Sequence, residues 1–339
     1  AAVRLTESFQ AAISKMPTAD LEGVVATTIH RQLNDLNSAD IVLIDEASMV
    51  SLDLFDQLLK SLGQDAHLIL MGDPNQLASV EAGSILKVIT ESNALSNHFF
   101  PITQRHRIEG QKALAELQDL CLFGDPQRFI QGVKDLNVFW ETNQSLDRLQ
   151  GALFDGYLQY FEDLRRKSVP TTPNFQCLTA ISEGVGGRRM INYLVQAETQ
   201  RLGLNGFGER LLVTENQPGI GVFNGDVGVV IDSYDFANPR VQFDNIEQPL
   251  RKNQLGAVES AWAISIHRSQ GSEYPSVFIC LPEPTGSRSR FKPSRELLYT
   301  ALTRAKESVQ LFATESMIVE AISRTTHRVT CLDHFLKTS

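Results

Sequence analysis

The sequence predicts an α/β protein with two parallel sheets and a small antiparallel β-barrel inserted in the second. In the first half, apolar runs at 41–44 and 67–71 flank a helical segment at 51–62, which is the order of a β-α-β unit. In the second half, an apolar run at 174–181 opens another series of strand-like and helical segments. Between 208 and 255 the chain changes to short strand-like segments separated by Gly, Asn and Asp turns, which favours the barrel.

The spacing of apolar residues predicts the helices of the first half. The segment 51–62 places Leu54, Leu58 and Leu62 on one face. The other elements expected there are, in order, a helix over 1–16, a short strand running into a helix over 24–36 with Thr27 or Thr28 as its N-cap, a helix over 78–91, and a mostly helical segment over 101–170 that breaks at Gly124-Asp125-Pro126.

The second half alternates in the same way. The elements expected there are a first strand at 174–181, a helix over 187–202, short barrel strands within 210–216, 221–234 and 240–245, strands at 262–267 and 276–281, a helix over 295–307 and a last strand at 308–313.

Composition limits the class of protein. At 339 residues the chain is long enough for about two domains, and 42% hydrophobic with 21% charged residues is typical of a soluble globular protein. The net charge of −9 argues against a uniformly basic coat for nucleic acid, although it leaves room for a local basic groove. The four cysteines and seven histidines lack metal-ligand spacing, which favours a reduced, cytoplasmic setting without structural zinc. We expect neither a membrane span nor a signal peptide. The chain begins without Met in a helical pattern, so we expect it to be truncated.

Two neighbouring strand ends carry the first group of candidate residues. Asp45 and Glu46 follow the strand at 41–44, and the next strand ends in a Gly-Asp-Pro-Asn-Gln run that contains Asp73 and Gln76. Adjacent carboxylates at the carboxyl edge of a parallel sheet suit Mg²⁺ and a nucleotide phosphate. Asp45 would hold Mg²⁺ through water, Glu46 would orient an attacking water, and Gln76 would sense the γ-phosphate. The alternatives are that both acids cap the next helix and that Asp73 only forms a turn.

A polar loop in the second half carries the next group. Ser265, His267 and Arg268 lie close together in sequence, and Gln270-Gly271-Ser272 can form an anion-binding nest of backbone N–H groups. Such a loop can face nucleic-acid phosphates on one side and a nucleotide on the other, but a plain polar turn explains the pattern equally well. The Gly-rich run at 183–190 lacks the Lys-Ser/Thr pair of a phosphate loop, so we interpret it as a loop entering a helix.

Several arginines complete the candidates. Arg304 lies beside the apolar stripe of its helix, where it forms either a structural salt bridge or a finger that reaches a γ-phosphate. Arg107, at the junction of the halves, is a second finger candidate or a solvated side chain. Basic residues including Arg288 and Arg290 surround Phe291, a pattern that suits single-stranded nucleic acid or a merely solvated loop.

Together these motifs resemble the RecD family, superfamily-one 5′→3′ DNA helicases that form the alpha subunit of exodeoxyribonuclease V. The resemblance extends over nearly the whole chain, with the five motifs DEASMV, GDPNQLASVEAGSIL, NGDVG, SIHRSQGSEY and RELLYTALTRA in family order. It implies two RecA-like motor domains of the P-loop NTPase fold, the first one incomplete. The implied boundaries are a first motor domain over 1–100, a helical connection over 101–172, a second motor domain over 173–207 and 256–339, and the barrel over 208–255.

The resemblance also implies roles for individual residues. Asp45 and Glu46 match the Mg²⁺-binding and water-activating acids, Gln76 matches the γ-phosphate sensor, and Arg107 and Arg304 match motif arginines. The resemblance further assigns Gln270, Gly271 and Glu273 to the motif that links DNA to nucleotide, and Thr28 and His30 to a DNA-contacting segment. From the residue patterns alone, Asp73 is a candidate nucleotide contact, and the candidate DNA contacts are Ser265, His267, Arg268, Arg288 and Arg290. It implies ATP and Mg²⁺ as cofactors, with single-stranded DNA and RecB-like and RecC-like subunits as partners.

Three departures from the family pattern accompany this resemblance. The family's GxxxxGK[ST] loop is expected upstream of residue 1, so we expect this chain alone not to hydrolyse ATP. Only 14 residues separate His30 from Asp45, which is short for the family. Ser265 and Arg268 replace the usual Thr and Lys, and both changes preserve the chemistry. The competing hypotheses are a non-catalytic RecA-like scaffold and a stand-alone RecD-like or RNA helicase.

Overall fold

The computed structural model describes residues 25, 27–79, 83–102, 112–166, 173–232, 238–244, 246–283 and 291–326. The chain divides into two compact units, 1–105 with 326–339 and 106–325. The α-helices are α1 Ile29–Gln32, α2 Leu52–Ser61, α3 Ile85–Glu91, α4 Lys112–Phe123, α5 Pro126–Asp135, α6 Leu146–Arg165, α7 Arg188–Arg201, α8 Arg295–Thr303 and α9 Glu315–Ser323. The strands are β1 Ile41–Ile44, β2 His67–Leu70, β3 Phe139–Glu141, β4 Phe175–Thr179, β5 Arg210–Val213, β6 Val227–Val230, β7 Arg240–Phe243, β8 Leu250–Arg251, β9 Val258–Ser260, β10 Ala263–Ser265, β11 Tyr274–Leu281 and β12 Ala305–Ala313.

The predicted β-α-β unit of the first unit is confirmed. Strands β1 and β2 are parallel, with Ile44 level with Leu70. Helix α2 begins where Ser51 Oγ accepts a hydrogen bond from Leu54 N–H at 3.3 Å, and it buries Phe55 and Leu58 against the sheet core. The strands are only partly buried despite their apolar sequences: Ile41 is 62% exposed and Ile69 44% exposed, because the described sheet of this unit has two strands.

Two boundaries in the first unit differ from the prediction. The helix expected over 78–91 begins only at Ile85, because Gly83, at φ +109°, interrupts the helical backbone just before it. The helix expected to run to residue 36 ends at Gln32, and the described residues before it are not in a strand. Thr28 occupies the N-cap position as predicted, but its side chain accepts no capping hydrogen bond from this described turn. The helix predicted over 1–16 lies outside the described residues.

The second unit confirms the parallel α/β class. Its sheet has the order β10-β4-β11-β12-β3, and every neighbouring pair is parallel. Strand β4 is buried along its whole length, as predicted for a strand covered on both faces. Helices α6 and α7 pack on it through a cluster that includes Tyr157, Phe161 and Trp262. Within the described ranges, no helix combines the length and apolar character that crossing a membrane requires.

The mostly helical segment 101–170 contains a strand that the sequence analysis missed. Strand β3 pairs with the edge of β12, and Trp140 Nε1 donates a hydrogen bond to Ala313 O at 2.7 Å. Consequently β4 is not the first strand of this sheet along the chain. The predicted break at Gly124-Asp125-Pro126 is confirmed, because Asp125 Oδ1 caps α5 through the N–H groups of Gln127 and Arg128.

The inserted β-rich segment is antiparallel as predicted, but its strand order is open. The described strands follow the order β8-β7-β6-β5-β9, and no ladder among them joins β8 to β9. The described strands therefore form the antiparallel sheet expected for the predicted small barrel, without a ladder that closes it. Their lengths explain this, since β8 has 2 residues and β9 has 3, which leaves few backbone groups for a closing ladder.

A short buried joint connects the inserted sheet to the parallel sheet. Only Ala261 and Trp262 separate β9 from β10, and both are 0% exposed. The Tyr157 hydroxyl donates to Trp262 O, and the buried Arg210 guanidinium donates to Gln176 Oε1. Burial of these polar groups requires such partners, so the joint is fixed by both packing and hydrogen bonds.

The last helix and strand meet earlier than predicted. Helix α8 ends at Thr303 instead of residue 307, because Ala305 already pairs with Tyr274 in the β11–β12 ladder. Leu298 and Leu302, which lie one turn apart on this helix, are fully buried, and most of the other positions of α8 are buried too. The helix is therefore enclosed rather than amphipathic.

Candidate functional site

The two motif-bearing strand ends of the first unit lie side by side, as predicted. Beyond the register of β1 and β2, Met71 N–H donates to Ile44 O at 2.8 Å and Ala47 N–H donates to Met71 O at 2.8 Å. Gly72 faces the backbone of the acidic loop, and a Cβ on it would lie 3.0 Å from Ala47 N. The DEAS segment and the GDPNQ segment thus form one compact structure at the carboxyl edge of the sheet.

The backbone of the acidic pair is strained. Glu46 has φ 51° and ψ 42°, a left-handed conformation that costs a non-glycine residue about 1–2 kcal/mol. Asp45 is exposed, and its Oδ1 accepts a hydrogen bond from Glu46 N–H at 2.9 Å. Glu46 occupies the N-cap position, but its carboxylate caps none of the N–H groups of the described turn Ala47–Met49. This geometry favours the functional interpretation of the pair over the capping alternative.

The donor set of the loop suits a water-mediated magnesium contact. Mg²⁺ prefers oxygen ligands and usually retains several waters, and the exposed Asp45 carboxylate is available for such a contact. Within the described ranges, no three His, Cys, Asp or Glu side chains are grouped as direct metal ligands. Asp45 therefore fits a role beside nucleotide-bound Mg²⁺ better than a closed protein cage.

Ser48 is a polar residue that the sequence analysis missed. It is 6% exposed, and its hydroxyl has no hydrogen-bond partner in the described part of the chain. An unsatisfied buried hydroxyl costs about 1–3 kcal/mol, so a buried serine two residues after Glu46 is a second unfavourable feature of this loop. The sequence signal for Ser48 was its position in the Asp-Glu-Ala-Ser segment.

We expect Gly72→Ala to destabilise the first unit by about 1–3 kcal/mol, because the new methyl group would press on the backbone of Ala47 and Ser48. Chemical denaturation measures this loss. The matched control is Gly151→Ala in helix α6, where a Cβ meets nothing within 4 Å, and we expect that variant to be equal to or more stable than the wild type. A Gly72→Ala protein as stable as the wild type would contradict the packing described here.

The structure assigns Asp73 a local structural part. Its Oδ1 accepts a hydrogen bond from Asn75 N–H at 2.9 Å, and its carbonyl accepts one from Gln76 N–H at 3.2 Å. These contacts favour the turn-forming alternative for Asp73. Gln76 is partly buried just after the turn, and Thr28 and His30 are exposed at the start of α1. The roles of these three residues remain predictions.

The polar loop of the second unit runs from the carboxyl edge of the parallel sheet back to its amino edge. Ser265, at the end of β10, is level with Thr179 at the end of β4. Ser276 in β11 is level with Phe175 at the start of β4. The segment 266–273, called the crossing loop below, must therefore return from the carboxyl edge to the amino edge. This distance is at least about 13 Å at 3.3 Å per residue. His267 and Arg268 lie near the first edge, while Gln270, Gly271 and Glu273 approach the second.

The predicted backbone nest at Gln270-Gly271-Ser272 is wrong. Gln270 has φ −57° and ψ 140°, and Gly271 has φ +73°, which are the angles of a type II turn rather than a nest. Ser272 N–H donates to Ser269 O at 3.0 Å, and Gln270 N–H donates to His267 O at 3.3 Å. Two of the three N–H groups are thus already used within the loop. Glu273 is exposed and forms an ion pair with Lys306 at 3.3 Å.

Arg304 is buried, not marginal as predicted. It is 4% exposed, and its guanidinium donates from Nη1 to Ser272 O at 3.2 Å, from Nε to Thr300 O at 3.2 Å and from Nη2 to Thr303 Oγ1 at 3.1 Å. Its own carbonyl accepts a hydrogen bond from Tyr274 N–H at 2.8 Å. The arginine therefore lies at the amino edge of β11 and β12, attached to the far end of the crossing loop.

The near end of the crossing loop carries a second arginine contact. Arg268 Nη1 donates to Glu259 Oε2 at 3.0 Å, and Arg188 Nη1 donates to the same oxygen. Ser265 Oγ accepts a hydrogen bond from Arg268 N–H at 3.3 Å. Burial works against ionisation of Glu259, but hydrogen bonding and charge from Arg188, with charge from Arg268, hold its pKa below the ordinary value. Sequence analysis missed Arg188 and Glu259, and the only local signal was the Arg-Arg pair at the start of α7.

Three predicted site residues, Arg107, Arg288 and Arg290, lie outside the described residues. Their assigned roles remain predictions.

Two family models match parts of this chain. Residues 5–138 match the AAA domain model, and residues 260–312 match the model of the UvrD-like helicase C-terminal domain. The first match contains the acidic loop and the GDPNQ turn, and the second contains the crossing loop and Arg304. The chain is therefore similar to an AAA domain in its first part and to a UvrD-like helicase C-terminal domain in its second.

Curated proteins with similar sequences include RecD subunits and a RecD2 helicase. The chain is 30% identical to the RecBCD enzyme subunit RecD of Mycobacterium tuberculosis over 96% of this chain and 60% of that protein. It is 27% identical to the ATP-dependent RecD2 DNA helicase of Deinococcus radiodurans over 85% of this chain and 40% of that protein. This chain is similar to RecD subunits and to a RecD2 helicase over most of its own length, and it spans about 60% of the RecD relatives.

A solved structure of Bacteroides Pif1 bound to ssDNA aligns with 95% of this chain and 80% of its own, at 15% identity and a TM-score of 0.45. The α/β class rests on the parallel strand order and the two domain matches rather than on this alignment.

Proposed function

We propose that this chain is the motor region of an ATP-dependent 5′→3′ DNA helicase and single-stranded DNA translocase. In this proposal it acts as a RecD-like subunit of an exodeoxyribonuclease V complex, with RecB-like and RecC-like partners, in double-strand-break repair and recombination. The observation that carries the proposal is the RecD homology over 96% of the chain, which includes both motif-bearing units.

The acidic loop of the first unit would perform the hydrolytic chemistry. ATP with Mg²⁺ supplies the phosphoryl group and the charge neutralisation. Asp45, exposed at the strand end, would hold a water of the metal shell, and Glu46 would accept a proton from the attacking water. The left-handed backbone of Glu46 supports this assignment, because a fold retains such strain where the orientation of a side chain matters.

The crossing loop of the second unit would couple nucleotide and strand. Its near end carries Ser265, His267 and Arg268, the predicted DNA contacts, and its far end is hydrogen-bonded to Arg304. A displacement of Arg304 by a γ-phosphate would therefore act directly on a segment that ends among the DNA contacts. This physical continuity supports a motor over a scaffold, which has no need for such a connection.

The test of this proposal uses the full-length protein with single-stranded DNA. We expect ATP hydrolysis to be stimulated by DNA, and unwinding to require a 5′ single-stranded tail. An ATPase that ignores single-stranded DNA, or unwinding from a 3′ tail, would reject the proposal. An RNA duplex in the same assay separates a DNA helicase from an RNA helicase.

The RecD2 homology supports a second candidate, a stand-alone helicase. A pull-down with RecB-like and RecC-like proteins distinguishes the two. Stable capture of both proteins supports the subunit, and unwinding without any capture supports the stand-alone enzyme.

A further inference from the structure

Arg188 lies at the same edge of the second sheet as the predicted DNA contacts. The loop after β4 folds back over the strand end, where Thr179 Oγ1 donates to Gly186 O at 2.7 Å and Arg188 N–H donates to Ile181 O at 3.0 Å. Because β10 is the parallel neighbour of β4, the loop that begins after Ser265 starts beside it. Two arginines, one at the start of α7 and one in the crossing loop, thus meet at one carboxyl edge, where α/β sheets bind their ligands.

One carboxylate oxygen serves both arginines. Glu259 Oε2 accepts hydrogen bonds from Arg188 and from Arg268, so the three side chains together carry one net positive charge. Each guanidinium has five N–H donors, and a single oxygen leaves most of them available for a second anion. A carboxylate that bridges two arginines occupies the position that a phosphodiester oxygen would take.

The exposure of the three side chains fits exchange with a ligand. The side chain of Arg188 is 12% exposed and is therefore held in place, whereas Arg268 and Glu259 are 35% and 39% exposed. A phosphate can reach the pair from solvent, and the displaced carboxylate can move into water without leaving a buried charge unpaired. A wholly structural ion pair would gain nothing from this partial exposure.

We propose that Arg188 and Arg268 form a phosphodiester-binding pair, and that Glu259 occupies this pair until the backbone of a nucleic-acid strand displaces its carboxylate. This inference rests on the proposed function and adds to it a binding residue, Arg188, and an internal competitor. Glu259 belongs to β9 of the inserted sheet, so strand binding would also release the inserted sheet from the crossing loop.

Fluorescence anisotropy with labelled oligothymidylate of roughly 15 nucleotides tests the competitor on the 339-residue chain. We expect Glu259→Gln to bind about two- to five-fold more tightly than the wild type, because a competing charge is removed. The matched control is Glu162→Gln, which removes the same charge from an exposed pair with Arg166 and should leave binding unchanged. Arg188→Gln and Arg268→Gln should weaken binding, and the double variant Arg188→Gln/Glu259→Gln should lose the gain. Oligouridylate in a parallel titration shows whether RNA or DNA is preferred.

The outcomes separate this inference from the function on which it rests. Oligonucleotide binding by the wild type that Glu259→Gln fails to tighten overturns the competitor alone. Absence of binding by both proteins overturns the inference together with the proposed function. Thermal unfolding verifies that each variant is folded. If Glu259→Gln does not fold, the Arg188 and Arg268 Nε–H resonances of the unaltered chain decide: saturating oligonucleotide should shift both, and unchanged resonances overturn the proposal.

Discussion

Glu46→Gln in the full-length protein is expected to abolish DNA-stimulated ATP hydrolysis while leaving binding of single-stranded DNA intact. Glutamine keeps the size and hydrogen-bonding reach of the side chain but cannot accept a proton from water. General-base catalysis contributes about 10²–10⁴-fold, so steady-state turnover should fall by a similar factor. Glu91→Gln, on the exposed end of α3 in the same unit, is the matched control and should keep wild-type turnover.

A second substitution at the same position separates catalysis from stability. Glycine adopts φ +51° without the steric cost that a glutamate pays, so Glu46→Gly should unfold no more easily than the wild type despite losing all activity. An active Glu46→Gln enzyme would remove Glu46 from the chemistry. A Glu46→Gly protein that is clearly destabilised would show instead that the side chain holds the loop together.

Arg304→Lys is expected to reduce turnover by about 10³-fold or more and also to lower stability, because one ammonium cannot replace the three hydrogen bonds of the buried guanidinium. An arginine that reaches a γ-phosphate contributes about 10³–10⁵ in rate, and an ammonium group cannot reproduce its planar fork. Lysine keeps the positive charge and much of the volume, which spares the surrounding packing of α8. Single-turnover hydrolysis, measured beside thermal unfolding, separates the two effects.

Arg295→Lys is the matched control for that experiment. Arg295 lies on the same helix, and its Nε donates to a backbone carbonyl, Ile322 O, at 2.8 Å, much as Arg304 does to Thr300 O. We expect this control to lose less stability, because Arg295 is only partly buried, and to keep its turnover. Equal turnover in the two variants would assign Arg304 to the anchoring of the crossing loop alone.

The periodic parts of the fold were predictable, and the non-local parts were not. The β1–α2–β2 unit and helix α7 follow from apolar spacing, because each is long enough to display its period. Strand β3 was missed because three residues between helices show no alternation. The end of α8 was placed too late because its limit is set by the pairing of Ala305 with Tyr274, which no local pattern reveals.

The same limit applies to the candidate site. The DEAS and GDPNQ motifs marked their strand ends correctly, since parallel neighbours end at one edge. The Gln270-Gly271 run suggested a nest, but the extended ψ of Gln270 produced a turn that uses its own N–H groups. The contact between Glu259 and Arg188 joins residues 71 positions apart, and neither residue type is unusual where it stands.

The buried Ala261-Trp262 joint connects the inserted sheet rigidly to the parallel sheet. Because only two buried residues separate β9 from β10, the inserted sheet cannot rotate independently of β10. A displacement of β9 would therefore also displace β10, and with it Ser265 and the start of the crossing loop. A nucleic-acid strand or a protein that binds the inserted sheet would thereby alter the hydrogen bond between Ser272 and Arg304 at a distance from its own binding site.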